Sequence, residues 1–273
     1  HIMNVGIVGL GVVGSAVRYG LEKLGHNVVG HDISLNTNIE DLLDTEIAFL
    51  CVPTPSNEDG SCNTSIVQDV IEDLHKLNYS GIIAIKSTVS PGTTQDLIDK
   101  YNNYSICFVP EFLRERCASV DFVENHDVCI MGTNNKDAQA IIKKAHGKLP
   151  KNVIAVSPTE AELAKYYNNI YNATLVTFAN SFYEVCKSLG ANYSNVKDAI
   201  VNREHIHDIY LDCNDNFRGF GGMCLPKDTK AIAAFCLKNN LDVGFFNSIL
   251  EENTKYKTTV YKGMRQEGEY YEN

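Results

Sequence analysis

Seven short apolar runs punctuate the first 156 residues: Val5–Val8, Val28–His31, Ile47–Val52, Ile82–Ile85, Ile106–Val109, Val128–Met131 and Val153–Val156. Between several of them a helical repeat takes over, at Ser15–Leu24, Ser65–Leu77, Thr93–Tyr101 and Asp137–His146. No other feature restricts the fold as much. Strands that alternate with helices pair through crossovers, and crossovers lay helices over both faces of a largely parallel sheet. An α/β sheet domain is therefore expected over residues 1–157. After Ser157-Pro158 the pattern changes, because Thr159–Leu189 contains neither proline nor glycine and Gly190 closes it. Thr159 followed by Glu162 reads as a capping box at the start of one long helix. The remainder also reads as helical, around a glycine-rich loop at Gly219–Gly222. A second, all-helical domain is expected over residues 158–273.

The chain of 273 residues suits two such domains. Its 24 basic and 34 acidic side chains leave a net charge of −10. Phosphate backbones and anionic bilayers need a basic footprint, so no nucleic-acid or membrane partner is expected. A locally positive pocket for an anionic small molecule stays open. No apolar stretch approaches the ~20 residues of a membrane span, and the N-terminus runs directly into a strand without a secretory pattern. The nine cysteines are odd in number and include no C-x-x-C pair. Several lie inside apolar runs, where a reduced cysteine acts as a small hydrophobe, and a cytoplasmic location is expected. His205-Ile-His207 suggests metal only superficially, since no third ligand stands at a recognisable spacing. No metal is expected.

The first strand runs into Gly9-Leu-Gly11-Val12-Val13-Gly14 and then into a helix. In a G-x-G-x-x-G turn the glycines permit a tight bend, close backbone approach to a pyrophosphate and close helix–strand packing, while the helix N-terminus faces the phosphates. Alone the motif is weak, as glycine clusters are often simple turns. Here Asp32 closes the next strand, 18 residues past Gly14. A carboxylate there accepts the adenosine ribose hydroxyls and repels a 2′-phosphate, which favours NAD. The alternative is a helix cap or a surface acid. The sheet domain thus reads as Rossmann-like, with Gly9, Gly11, Val12, Val13, Gly14 and Asp32 as cofactor candidates.

Six segments in one order then carry a family resemblance: Gly9–Gly14, Cys51-Val-Pro-Thr-Pro55, Lys86-Ser-Thr-Val-Ser-Pro-Gly-Thr93, Pro110-Glu-Phe-Leu-Arg-Glu115, Ala161-Glu-Leu-Ala-Lys-Tyr-Tyr-Asn-Asn169 and Gly219-Phe-Gly-Gly-Met-Cys-Leu-Pro-Lys-Asp228. Together the sequence resembles the UDP-glucose/GDP-mannose dehydrogenases, within the wider group of 6-phosphogluconate-dehydrogenase-like folds. The resemblance covers about residues 3 to 262. It implies an NAD-dependent, two-step oxidation of a nucleotide-sugar alcohol to an acid, most readily UDP-glucose to UDP-glucuronate. Such a reaction needs an activated thiol to hold the intermediate aldehyde. Cys224, in a glycine-rich loop beside Lys227 and Asp228, is the implied nucleophile, against the bland reading of an inert cysteine. Lys165 and Asn169 stand i, i+4 on the long helix and share a face, where they could stabilise an oxyanion or simply be solvated.

The resemblance further implies Asp228 as a holder of water or polariser of the alcohol, Glu111 as the carboxylate assisting thioester hydrolysis, and Thr88 as its hydrogen-bonding partner. Pro53, Thr54, Thr88 and Glu115 are implied along the cofactor. Glu111, Phe112, Leu113, Lys165, Asn169, Phe217, Gly221 and Lys227 are implied along the substrate. Glu111 and Glu115 could instead mark an exposed helix start, where acids suit the macrodipole. The segment before the glycine loop matches loosely, with Asn214-Asp-Asn216 in place of the usual proline-glycine. Two further departures stand out. The stretch from Asp32 to Phe49 is shorter than in typical members. The family also continues into another α/β domain that closes over the nucleotide, whereas this sequence ends at Asn273, with Glu267–Asn273 reading as a solvated tail. A homodimer through the long helix is implied, although ordinary core packing explains its apolar face equally well. The competing functional readings are a single-step β-hydroxyacid-type dehydrogenase and a non-catalytic NAD-binding or assembly module.

Overall fold

The structure, a computed structural model, describes residues 1–256. The expected tail at Glu267–Asn273 therefore lies outside the described residues. The chain divides into two compact units, residues 1–57 with 62–165 and residues 58–61 with 166 onward.

All seven expected strands form: β1 Asn4–Val8, β2 Asn27–His31, β3 Ile47–Leu50, β4 Ile82–Ile85, β5 Ile106–Phe108, β6 Val128–Gly132 and β7 Asn152–Val156. They make one sheet in the order β2-β1-β3-β4-β5-β6-β7. β1 to β5 pair in parallel. β6 meets β5 antiparallel through Phe108 and Gly132, and β7 runs parallel to β6. The helices are α1 Val12–Lys23, α2 Ser65–Lys76, α3 Thr93–Tyr101, α4 Ala118–Glu124 and α5 Lys136–His146. Alternate strand residues feed opposite faces, as the pleat requires. Ile47 and Phe49 of β3 and Ile82 and Ala84 of β4 join one core layer. Their neighbours Ala48, Leu50, Ile83 and Ile85 join the other. Burial of such side chains, about 1.5–3 kcal/mol for each isoleucine, leucine or phenylalanine, explains why the strands are continuously apolar rather than alternating.

The long helix α6 spans Pro158–Ser188, one residue ahead of the expected range. Its capping box also lies earlier. Ser157 Oγ accepts the Glu160 N–H at 3.2 Å, and Glu160 Oε1 accepts the Ser157 N–H at 2.9 Å. Glu162, expected in that role, is instead fully buried. It accepts from the N–H of Gly92 at 2.8 Å and from the N–H and hydroxyl of Thr94 at 2.9 and 2.7 Å. A carboxylate there caps the start of α3, where orphan donors and the helix dipole both favour an anion. Burial pushes its pKa up, against the lowering effect of those donors. The division between units falls within α6, between Lys165 and Tyr166.

The second unit contains the rest of α6 with α7 Tyr193–Ile200, α8 Cys224–Lys238 and α9 Phe245–Asn253. Tyr166, Ile170 and Ala173 of α6 pack with Phe220, Ala231, Ile232, Cys236 and Ile249. Among the described residues the expected helices form around the expected loop at 219–222, but residues 201–218 form turns and one short bridge instead of helix. Asparagines and aspartates there compete with helical backbone bonding, and the glycines of the loop carry a high backbone entropy cost. The segment is gathered by the ammonium of Lys197, which lies 2.9 Å from each of Asp198, Asp208 and Asp212. These pairs hold its pKa above the ordinary lysine range.

Candidate functional site

The glycine turn has the geometry its sequence predicts. Gly9 has φ +91°, and a β-carbon there would stand 2.6 Å from the carbonyl oxygen of Cys51. At Gly14 a β-carbon would overlap the carbonyl of Gly9, so helix α1 can leave the turn at this angle only with glycine. Gly11 differs, because a β-carbon there meets no protein atom within 4 Å. Packing does not require glycine at Gly11, but close approach of a pyrophosphate to the backbone would. No side chain caps α1, which begins at Val12 and Val13. A helix N-terminus opening on such a cradle is suited to a pyrophosphate.

Asp32 follows β2 and reaches back to this turn. Its Oδ2 accepts the Leu10 N–H at 2.8 Å, and its Oδ1 accepts from the N–H and hydroxyl of Ser34 at 2.9 and 2.8 Å. The Leu10 bond, then the Ser34 bonds, hold its carboxyl below the usual carboxylate range. A carboxylate has about four acceptor positions, so Asp32 can anchor the turn and still receive a ribose hydroxyl. The residues present fit NAD.

The strand ends beyond β3, β4 and β5 bring the next motifs to the same carboxyl edge of the sheet, where open α/β sheets bind ligands. Pro53 is exposed and Thr54 buried. The thiol of Cys62 donates to the carbonyl of Thr88 at 3.2 Å and lies 3.7 Å from that of Thr54. A cysteine with no motif around it thus links the two loops. Lys86 of the same motif is buried, donates to the Val109 carbonyl at 3.2 Å and lies 5.5 Å from the Phe49 ring. Burial pushes its pKa down. A cavity of about 400 Å³ opens at the opposite strand ends, among His75, Asn78 and Tyr101, and holds none of the motif residues.

Glu111, Phe112 and Leu113 are half-buried beyond β5. Glu111 Oε2 accepts the Leu113 N–H at 2.7 Å. Lys165 Nζ donates to the Glu111 carbonyl oxygen at 2.6 Å, lies 3.5 Å from Oε1 and sits 5.6 Å from the Phe112 ring. Glu115 opens a 3-10 turn, Glu115–Cys117, ahead of α4. The helical-start reading of these acids therefore applies to Glu115 but not to Glu111, which is tied to Lys165.

In the second unit, the amide of Asn169 donates to Asp228 Oδ2 at 2.6 Å, and both residues are buried. Cys224 is exposed and is the first residue of α8. A helix N-terminus favours a thiolate, and Asp228 stands one turn further along. Phe217, Gly221 and Lys227 are half-buried around this loop. Sequence reasoning missed Cys62, Glu162 and Lys86 as organisers of the site. Lys86 and Glu162 carried a signal, as residues of quoted motifs, whereas Cys62 carried none.

Comparison with known proteins places these features in a family context. The UDP-glucose/GDP-mannose dehydrogenase family, NAD binding domain, matches residues 34–149, and the central domain of the same family matches residues 159–255. A UDP-glucose 6-dehydrogenase of Rickettsia bellii is 30% identical over 92% of this chain and 67% of its own length. A GDP-mannose 6-dehydrogenase of Pseudomonas syringae pv. tomato is 26% identical over 92% of this chain and 68% of its own. The structure of a UDP-glucose dehydrogenase from Pyrobaculum islandicum superposes with a TM-score of 0.86 at 26% identity, covering 93% of this chain and 68% of that one. The chain thus spans about two thirds of the length of these relatives. Among the described residues no helix is long and apolar enough to cross a membrane.

Proposed function

The chain belongs to the UDP-glucose/GDP-mannose dehydrogenase family, and from that premise we propose that it oxidises the C6 alcohol of a nucleotide sugar, UDP-glucose above others, to the acid. The observation that carries the reading is Cys224, exposed at the start of α8 one turn before an Asp228 already paired with Asn169. NAD, held by the Gly9–Gly14 turn and Asp32, would supply the hydride acceptor for the two oxidations. The chain's own groups do the rest. Asn169 holds the Asp228 carboxylate, and Asp228 orients the alcohol and takes up its proton as the aldehyde forms. The Cys224 thiolate adds to the aldehyde carbon, giving a thiohemiacetal whose oxyanion Lys165 and Asn169 stabilise. Loss of the second hydride leaves a thioester. Water adds to it, and the thiolate departs with release of the carboxylate, the step for which the family resemblance implies Glu111 and Thr88. The balance is one alcohol, two NAD and one water to one acid, two NADH and two protons. UDP-glucose is preferred because several of the relatives are named for it; GDP-mannose is the nearest competitor.

The test is the yield of NADH per nucleotide sugar consumed. Two are expected. One per substrate would replace this reading with a single-step dehydrogenase, and NAD binding without turnover of any nucleotide sugar would leave an NAD-binding module.

The same reading includes a homodimer through α6. Tyr167, Tyr171, Phe178, Phe182 and Val185 form an exposed apolar stripe along this helix, with Tyr167 76% accessible. An apolar face of that length on a surface helix calls for a partner. The double change Phe178→Asp with Phe182→Asp should convert a dimer into a monomer in sedimentation equilibrium. A wild-type chain that sediments as a monomer at micromolar concentration would reject the dimer. A cytoplasmic location fits nine cysteines that form no disulfide.

A further inference from the structure

We infer that Asn253, the last residue of α9, is a positioning residue for the thiol of Cys224. The inference rests on the covalent role proposed for Cys224, yet its observations are independent of any substrate. The Asn253 amide makes both of its hydrogen bonds to one peptide residue. Its Oδ1 accepts the Phe220 N–H at 2.9 Å, and its Nδ2 donates to the Phe220 carbonyl at 2.9 Å. One side chain thus does for Phe220 what a neighbouring strand would do. The approach also accounts for the first glycine of the loop, since a β-carbon on Gly219 would stand 2.8 Å from Asn253 Oδ1.

Around this clamp the loop is fixed elsewhere too. The Phe220 ring is buried with Tyr166, Ile170 and Ile249. Just before it, Arg218 donates to Asn180 at 2.7 Å and to Glu184 at 2.6 Å on α6, and its guanidinium lies 4.7 and 4.8 Å from the rings of Tyr183 and Tyr256. Only Gly221, Gly222 and Met223 separate Phe220 from Cys224, and Gly222 has φ +81°. A three-residue bridge with two glycines has many conformations available. Its one geometry therefore depends on both ends being held, by α8 beyond and by Asn253 before. Without the amide, the Phe220 N–H and carbonyl lose their partner, and the first turn of α8, which carries the thiol, loses its approach.

The experiment measures alkylation of Cys224 by iodoacetamide from pH 6 to 10, read by peptide mass spectrometry, beside steady-state kinetics and thermal melting. Asn253→Ala should slow Cys224 alkylation at pH 7 about fivefold and raise its midpoint, the size of a lost helix-terminus effect. It should lower kcat about a hundredfold, as a misplacement of about 1 Å does, with KM for NAD unchanged. Asn253→Asp keeps the acceptor for the Phe220 N–H but turns a second oxygen on the Phe220 carbonyl, so it should fall between wild type and Asn253→Ala. A folded Asn253→Ala protein with wild-type midpoint, alkylation rate and kcat overturns the inference. If that variant does not fold, the Asp variant decides by the same criteria. Failure of the proposed function would look different: Cys224 alkylation would respond to Asn253 while no nucleotide sugar was oxidised by the wild-type chain.

Discussion

Replacing Cys224 with serine should stop acid formation while NAD binding and folding persist. The expected loss in NADH production is about a thousandfold or more, the scale of removing a nucleophile from a covalent mechanism. The substitution exchanges one sulfur for one oxygen at an exposed helix start, where no core packing is disturbed. A serine hydroxyl at that position is hardly ionised at neutral pH, so the aldehyde is not held and the second hydride has no adduct to leave from. Three thiols of the sheet unit offer no substitute. Burial pushes the pKa of Cys51 up to about 12 and that of Cys129 up to about 11, and it raises Cys107 further. They remain protonated at working pH. The measurement is NADH release with UDP-glucose, beside NAD titration by calorimetry. Acid formation within tenfold of wild type would end the covalent assignment.

A second large effect is expected from two glycines three residues apart. Gly11→Ala should leave the unfolding midpoint within about 0.5 kcal/mol of wild type, as surface substitutions do, because its methyl meets no protein atom within 4 Å. That methyl occupies the space where a pyrophosphate must approach the backbone, and NAD affinity should fall ten- to a hundredfold, roughly 1.4–2.8 kcal/mol. Gly14→Ala should lose both binding and stability. Its β-carbon would lie 2.8 Å from the Gly9 carbonyl carbon and closer still to its oxygen, and relieving that overlap means moving α1 off the sheet, at about 1–3 kcal/mol or more. Calorimetric titration with NAD and urea unfolding of both variants make the comparison. Undiminished NAD binding by Gly11→Ala would remove the pyrophosphate from this cradle.

The strands and first helices were legible because their signals are local. Ile47–Leu50 and Ile82–Ile85 are apolar without interruption, and Gly9–Gly14 joins a strand to a helix within six residues. The antiparallel entry of β6 was not legible, since strand direction depends on how far the chain travels between strands and leaves no periodicity. The capping box moved from Thr159 to Ser157 for a related reason. Glu162 had a stronger claim on it from a distance: three donors at Gly92 and Thr94, about seventy residues away.

The site divides along the same line. Spacing pointed to Asp32 and to the Lys165 and Asn169 pair, and the family resemblance implied Glu111, Cys224 and Asp228 as residue types suited to the chemistry. The sequence could not say which would pair. Lys165 and Asn169 are one helical turn apart, yet one is bound to Glu111 and the other to Asp228. Nor could it find Cys62 and Asn253, which touch carbonyls and amides rather than side chains. By itself the amino-acid sequence determined the α/β architecture and the NAD turn, and it nominated the thiol proposed as reactive, because each rests on residues near one another along the chain. Only the tertiary structure decided which groups hold the reactive ones in place. Such contacts are hydrogen bonds to backbone atoms that every residue possesses, and no residue type records them.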